Sequence, residues 1–265
     1  MCLKDFIINL LTEINEILDQ YKSVSLKEID RVKFMKRTDT KFVLPIQKLS
    51  KILKDAKRSY YVLKIDNKRS LKYETTYFDT DDFSMYIAHQ NGKLNRYKIR
   101  TREYVNTNDK FLEIKFKSNK NKTIKKRIKT NDYFSKNSRD FIKKNSPYIL
   151  KQLQAKVDTK FSRITLVSNK FDERLTIDYN LSFENSKKSV KLPFLSIAEV
   201  KQEKYSSSSE FIKVLKKHEI RQMSLSKYCT GINLLYNNIK KNRFKPRLLT
   251  LKKLSNDSGN IVKTG

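Results

Sequence analysis

The stretch RYKIRTREY, residues 96–104, alternates between charged and uncharged side chains up to Arg102, with Glu103 at the end of the uncharged face, and it determines the predicted fold. Successive residues of a β-strand point to opposite faces. One face of the stretch would therefore carry Arg96, Lys98, Arg100 and Arg102, and the other would carry Tyr97, Ile99 and Thr101. The pattern predicts a strand with a row of cations along one side.

Four further segments repeat this arrangement with acids threaded among the cations. Their charged faces would carry Glu113, Lys115 and Lys117; Lys125, Arg127 and Lys129; Arg174, Thr176 and Asp178; Glu199 and Lys201. An antiparallel sheet with one solvated face explains each strand taken alone. Neighbouring rows of like charge repel each other, so a closed barrel is the other reading, with charged faces inward and neutralised by a polyanion and metal ions. The pattern leaves both open.

Composition places limits on the class of protein. The 265 residues suit one large domain or two small ones, and 38% hydrophobic residues suffice for a core. Two Cys and two His argue against a disulfide scaffold and a zinc hydrolase. The net charge of +31 favours an anionic partner such as nucleic acid, a phosphorylated metabolite, polyphosphate or an acidic membrane. An AT-rich genome, which raises the lysine content of its proteins, would produce the same surplus, so the charge alone decides little.

The chain falls into three predicted parts. Residues 1–30 contain an amphipathic helix with apolar residues at helical spacing, residues 31–239 form the strand-rich domain, and residues 240–265 are read as a mobile basic tail. Helices are predicted at 45–57, 132–144, 146–155, 211–217 and 226–238, and a helix or turn at 81–91. No apolar run approaches the ~18 residues that span a bilayer, so a soluble cytoplasmic protein is expected.

Nine stretches, in this order, resemble the polyphosphate polymerase (VTC) domain of the triphosphate tunnel metalloenzyme, or CYTH-like, superfamily. They are RTDTKFVLP (37–45), YFDTDDFSMY (77–86), RYKIRTREY (96–104), FLEIKFK (111–117), IKKRI (124–128), FSRITL (161–166), ERLTIDYNLSF (173–183), IAEVK (197–201) and SLSKYCTGINLL (224–235). Each stretch is weak alone, but the resemblance runs from about Arg31 to Asn242, which is most of the chain.

The resemblance implies an α+β fold in which about eight antiparallel strands close into a barrel, or tunnel, with flanking helices. It implies transfer of the γ-phosphate of ATP to a growing polyphosphate chain inside that tunnel. By motif position the phosphate-contacting residues would be Lys41, Arg100, Arg102, Lys115, Lys125, Arg127, Arg163, Arg174, Lys201 and Lys227, of which Arg100, Arg102, Lys115, Arg163 and Arg174 would hold the nucleotide. Glu199 would be the principal ligand of Mn²⁺ or Mg²⁺, with Glu113 and Asp178 as further ligands.

One departure from the superfamily pattern bears on the reaction. Triphosphatases of the superfamily open with Glu-x-Glu-x-Lys, whereas residues 37–41 read RTDTK, with Asp39 as the one acid. Fewer carboxylates favour a single-metal polymerase over a two-metal hydrolase. A tripolyphosphatase or nucleoside triphosphatase remains the alternative enzyme, and a non-catalytic polyanion or RNA binder remains the alternative outside enzymes. No RNA-recognition signature is present, so no specific nucleic acid is expected. Coupling to a membrane would require a membrane-protein partner.

Overall fold

The computed structural model describes residues 3–29, 38–120 and 122–257. Within these ranges the strands are β1 (Ser23–Val24), β2 (Thr38–Pro45), β3 (Tyr60–Leu63), β4 (Ser70–Asp79), β5 (Arg96–Tyr104), β6 (Asp109–Lys117), β7 (Thr123–Lys129), β8 (Gln154–Ser168), β9 (Glu173–Glu184), β10 (Ser189–Leu192) and β11 (Leu195–Gln202). The helices are α1 (Leu3–Asp19), α2 (Leu26–Ile29), α3 (Leu49–Ala56), α4 (Ser84–Gln90), α5 (Lys136–Asn145), α6 (Glu210–Lys217), α7 (Lys227–Leu235) and α8 (Lys245–Asp257). The fold is α+β, as the sequence predicts.

The strands form one large sheet whose main path runs β2-β11-β9-β8-β4-β5-β6-β7. Neighbours on this path are antiparallel; β3 and β10 attach to β8 and β9, and β1 pairs with β3 in parallel. The predicted closed barrel is not what this pairing gives, because β2 and β7 end the path and do not pair with each other in the described residues. Alternation in a sequence determines the face of each residue, but it does not determine whether two edge strands meet.

The strand register puts the predicted charged residues on a single face. Lys41 lies opposite Glu199, Arg100 opposite Glu113, and Lys115 opposite Lys125. We call this the inner face. The sheet curls around it: the adjacent residues Ser226 and Lys227 at the start of α7 contact Lys98 on β5 and Asp178 on β9, which are separated by β4 and β8 along the path. The charged rows therefore converge on one interior.

Helices cover the opposite, outer face. Helices α1, α3 and α6 pack against β2, β8, β9 and β11. They bury Ile14, Leu18, Ile52, Leu53 and Phe211. At the other end of the sheet α5 packs on β5 and β6 and buries Ile142 against Leu112 and Ile114. A further buried cluster lies on the inner side, where Tyr77, Phe161 and Ile197 pack with Tyr228 and Ile232 of α7. The inner face is therefore apolar where α7 covers it and carries the charged residues beside that area.

Two predicted segments differ from the structure. The helix predicted at 146–155 is a short 3₁₀ turn (Leu150–Gln152) followed by β8, because a short apolar run fits a strand as well as a helix. The segment predicted as a mobile tail contains α8, which buries Leu251, preceded by the buried Phe244. Lysines between its apolar residues conceal the helical spacing. Residues 258–265 lie outside the described ranges, as do residue 30, which ends the predicted N-terminal part, and residues 31–37, which begin the predicted domain.

Within the part of the chain that the structure describes, no helix is both long enough and apolar enough to cross a membrane.

Candidate functional site

Each of the three predicted acidic ligands on the inner face is bonded to two cations. Glu113 on β6 is 1% exposed and accepts hydrogen bonds from Arg100, with Nε 2.7 Å and Nη2 2.6 Å from Oε2. Lys125 Nζ lies 2.6 Å from its other oxygen. Burial alone would raise the pKa of Glu113, but Arg100, Arg102 and Lys125 lower that pKa to about 2. Glu113 is thus ionised and clamped between β5 and β7.

Asp178 on β9 is held in the same way. Arg163 on β8 donates from Nε at 2.5 Å and from Nη2 at 2.8 Å, in a bidentate fork, and Lys227 also pairs with this carboxylate. Burial acts to raise the pKa of Asp178, and the charges of Arg163 and Lys227 outweigh it and keep the pKa below the usual range. Bidentate arginine pairs of this kind fix geometry as well as charge.

Glu199 on β11 forms the third cluster. Lys41 on β2 pairs with its Oε1, and Lys201 Nζ lies 3.3 Å from Oε2. Burial alone would raise the pKa of Glu199, but Lys201 and Lys41 hold it well below its usual value. Arg174 lies opposite Lys201 in the register and adds its charge to this end of the interior.

Other inner-face cations have no carboxylate partner among the described contacts. Lys98 Nζ donates to Ser226 Oγ at 2.8 Å, and Arg102 Nε donates to Thr75 Oγ1 at 3.3 Å. Lys115 lies opposite Lys98 and Lys125 in the register and forms no ion pair within the described residues. Burial and the surrounding cations lower the pKa of Lys115 to about 8. The interior carries unneutralised positive charge that a bound anion would relieve.

The same positive charges act on the hydroxyl of Tyr77 on β4. Its hydroxyl accepts a hydrogen bond from Arg100 Nη1 at 3.1 Å. Burial acts to raise the pKa of Tyr77, but Arg100, Arg102 and Lys227 prevail and lower it to about 8. A phenol whose anion is stabilised in this way reports a strongly positive interior.

Helix α7 closes part of the interior and delivers Lys227 to it. The backbone of Gly231 lies so close to the sheet that a Cβ atom there would sit 2.5 Å from Val157 and 2.9 Å from Phe183. The hydroxyl of Tyr228 donates to the fully buried Asp79, which also accepts the N–H groups of Met85 and Tyr86 at 2.9 Å. The start of α7 is thereby tied to the start of α4.

The predicted site residues divide by position. The structure brings most of them together on the inner face: Lys41, Arg100, Arg102, Lys115, Lys125, Arg163, Arg174, Lys201, Lys227, Glu113, Asp178 and Glu199. Arg127 lies on the edge strand β7, where its guanidinium stacks 4.6 Å from the ring centre of Phe111. The register pairs Arg127 with Glu113, so it also belongs to the inner face, at the edge of the sheet.

The predicted metal ligands do not gather into one cluster. Within residues 3–29, 38–120 and 122–257, no group of three or more His, Cys, Asp and Glu side chains could hold a metal ion. Glu113, Asp178 and Glu199 instead belong to three separate cation pairs. Any ion would therefore rely on one protein carboxylate together with oxygen atoms from another source.

Sequence reasoning did not select Lys98, Tyr77, Asp79 or Ser226. Lys98 shares the alternation of Arg100 and could have been found by parity alone. Asp79 and Tyr77 stand in the stretch YFDTDDFSMY, but their contacts with α7 and β5 span long distances in sequence. No local signal could have shown those contacts.

Comparison with known proteins shows the family of this chain. The model of the VTC domain family matches residues 36–236, and the chain belongs to that family, as the sequence predicts. No curated protein matches the chain. The solved structures that resemble it include one from Hippeastrum, described as a "putative adenylyl cyclase" with a dominant triphosphatase activity, at 13% identity and a TM-score of 0.48 over 77% of this chain and 98% of that one. A "putative adenylate cyclase" from Vibrio parahaemolyticus is similar at 10% identity and a TM-score of 0.46, over 74% of this chain and 97% of the other.

Proposed function

We propose that the chain transfers the γ-phosphoryl group of ATP to the end of an inorganic polyphosphate chain bound along the inner face. One observation carries the proposal: cations from β2, β5, β6, β7, β8, β9 and β11 converge on one interior and exceed the carboxylates there. Phosphoryl transfer requires in-line positioning and neutralised oxygen charge, and little covalent chemistry from the protein. A dense cationic interior supplies both.

The residues divide the work by type. Arg100 and Arg163 present planar forks held by Glu113 and Asp178, so their remaining N–H groups can meet phosphate oxygens in fixed directions. Lys115 and Lys41 are compact, mobile charges that follow a moving phosphate. The acceptor is an already ionised phosphate end, so no strong general base is needed. The scarcity of histidine is compatible with this chemistry.

A divalent cation fits Glu199 on donor chemistry. Mg²⁺ is usually held by one or two carboxylates together with substrate phosphates, and Glu199 offers a carboxylate that faces the same interior as the cations. Lys41 and Lys201 now occupy both of its oxygens, so an ion would compete with them. When bound, Mn²⁺ or Mg²⁺ would offset charge on the phosphate oxygens. This arrangement suits an ion that arrives with its nucleotide.

Incubation of the purified protein with ATP and Mn²⁺, followed by sizing of the products, tests the proposal. Long-chain polyphosphate with ADP is the expected product; orthophosphate alone would instead support a tripolyphosphatase or nucleoside triphosphatase. Glu199→Gln should lower turnover at least about a hundredfold, as expected when a charge that orients the reacting groups is lost. Glu203→Gln is the matched control, since Glu203 is exposed just beyond β11 and should keep wild-type turnover.

If the wild type makes no product with any nucleotide and metal, yet binds polyphosphate, the chain is a polyanion-binding protein and the proposed transfer is refuted.

A further inference from the structure

Three arginines meet at the outer end of β5, beyond the predicted site residues. Arg243 lies against Gly92, where an added Cβ would sit 2.0 Å from Arg243 Nη1. Arg247 lies 5.8 Å from the ring centre of Phe244, and that ring is 5.7 Å from the ring of His89. Arg96 donates to the carbonyl of Lys93, just after Gly92, at 2.8 Å. We call Arg96, Arg243 and Arg247 the arginine cluster.

The fold builds this cluster firmly. Phe244 is buried and packs against Tyr86 at 5.9 Å between ring centres. The hydroxyl of Tyr86 donates to the carbonyl of Lys240 at 2.8 Å, and Gln90, with its amide oxygen turned toward this segment, accepts the backbone N–H of Arg243 at 2.9 Å. The chain after Lys240 is thereby fixed to α4, and α8 carries Arg247 to the same place.

Gly92 makes room for the guanidinium of Arg243. It has a φ of +72°, a left-handed conformation that favours glycine. A side chain at this position would be strained and would also collide with Arg243. Both features require glycine at this position, which leaves space for the side chain of Arg243 beside the end of α4.

The cluster has no counter-charge among the described residues, where none of its arginines forms an ion pair. Burial, followed by the charges of Lys98, Arg96 and Arg243, lowers the pKa of the neighbouring His89 to about 2, so this histidine stays neutral. Arg243 likewise acts on Arg96, whose pKa is lowered first by burial. Grouped cations without acids repel each other, and an anion removes that cost.

The cluster continues a row that begins in the interior. Arg96, Lys98, Arg100 and Arg102 are alternate residues of β5 and share the inner face. Neighbours in this row are about 7 Å apart along the strand, so the row spans roughly 20 Å from Arg102 to Arg96. An extended polyanion that lies along β5 would reach the cluster as it leaves the interior.

We propose that the arginine cluster is a second phosphate-binding site, which holds the part of a polyphosphate chain that extends beyond the interior. The inference rests on the proposed function in one respect, the identity of the polyanion. Guanidinium groups bind phosphate oxygens through paired N–H donors. Short phosphates that fit the interior would not reach the cluster, whereas long chains would engage both sites.

Binding measured at fixed salt, by titration with tripolyphosphate and with long-chain polyphosphate, tests this site. Arg243→Ala with Arg247→Ala should weaken long-chain binding about tenfold, as two lost surface charge contacts allow, and should leave tripolyphosphate binding within twofold. The control is Lys252→Ala with Lys253→Ala, which removes two exposed charges from the same helix. Arg96→Gln is a second variant that leaves α8 untouched and should weaken long-chain binding alone.

Equal losses for both ligands, an equal loss in the control, or unchanged long-chain binding would each overturn the second site. So would a variant that loses binding to acidic phospholipid vesicles while it keeps wild-type polyphosphate affinity, since the cluster would then serve a membrane surface. A failure of ATP turnover in the wild type leaves this binding comparison intact, so the two proposals fail separately.

Discussion

Replacement of Glu113 by glutamine tests whether the inner-face carboxylates act as internal counter-ions for a site that awaits phosphate. The carboxylate is 1% exposed and neutralises Arg100 at 2.6 Å and Lys125 at 2.6 Å. Glu113→Gln keeps the shape and removes the charge. Both cations would then face each other and Arg102 without an acid between them.

Loss of one partner from a buried ion pair costs about 3–5 kcal/mol. Lys125 is 40% exposed and can turn toward water, so the lower end, about 3 kcal/mol, is expected for Glu113→Gln. A bound polyanion restores negative charge at the same place. Tripolyphosphate should therefore stabilise the variant more than the wild type, because Glu113 no longer competes with it for Arg100 and Lys125.

The free energy of unfolding in urea, with and without tripolyphosphate, measures both effects. Glu103→Gln is the matched control: it also lies on β5–β6 and pairs with Lys110 at 2.9 Å, but both side chains are substantially exposed, so a loss below about 1 kcal/mol is expected. The reasoning is refuted if Glu113→Gln is as stable as this control, or if tripolyphosphate stabilises the variant and the wild type equally. If Mn²⁺ raised the free energy of unfolding of the wild type but not of Glu113→Gln, Glu113 would be a metal ligand instead.

Two further predictions follow from the same charges. Burial lowers the pKa of Lys201 to about 8, so the folded chain loses this proton before the unfolded chain does near pH 10.5. The free energy of unfolding of the phosphate-free protein should therefore rise between pH 8 and 10.5, and saturating tripolyphosphate should flatten that rise. A free energy of unfolding that falls over this window in urea titrations would be inconsistent with the assignment. Lys125→Ala should weaken tripolyphosphate binding about tenfold, as expected for the loss of one charged hydrogen bond. The control is Lys126→Ala: Lys126 lies on the same strand but points outward and donates to Asn145 at 2.8 Å, so the affinity should stay within twofold of the wild type. Equal losses of affinity in calorimetric titrations would mean that only overall charge matters.

The sequence was sufficient to predict which face of each strand carries the charges. Alternation in residues 96–104 put Arg100 and Arg102 on one face, and the register with Glu113 confirms it. The side-chain period of a strand is two, so parity alone determines the face. The N-terminal helix was equally accessible, because the spacing of Ile14 and Leu18 is helical and both residues are buried.

The features that the sequence did not reveal depend on contacts between distant segments. Nothing local indicates that Tyr228 donates to Asp79, or that Arg243 lies over Gly92. Closure of a sheet likewise depends on its edges, and the described β2 and β7 leave the path open. The carboxylates were predicted as metal ligands because of their type, but type does not reveal that two cations already engage each of them.

The location of tripolyphosphate in a crystal of its complex with this protein tests the central claim most directly. We expect the phosphates on the inner face, with oxygen atoms about 2.7–3.2 Å from Lys115 Nζ and from the guanidinium groups of Arg100 or Arg102. The claim would be contradicted if phosphates bound only on the outer face, while the ion pairs of Glu113 and Asp178 on the inner face were unchanged and made no contact with phosphate.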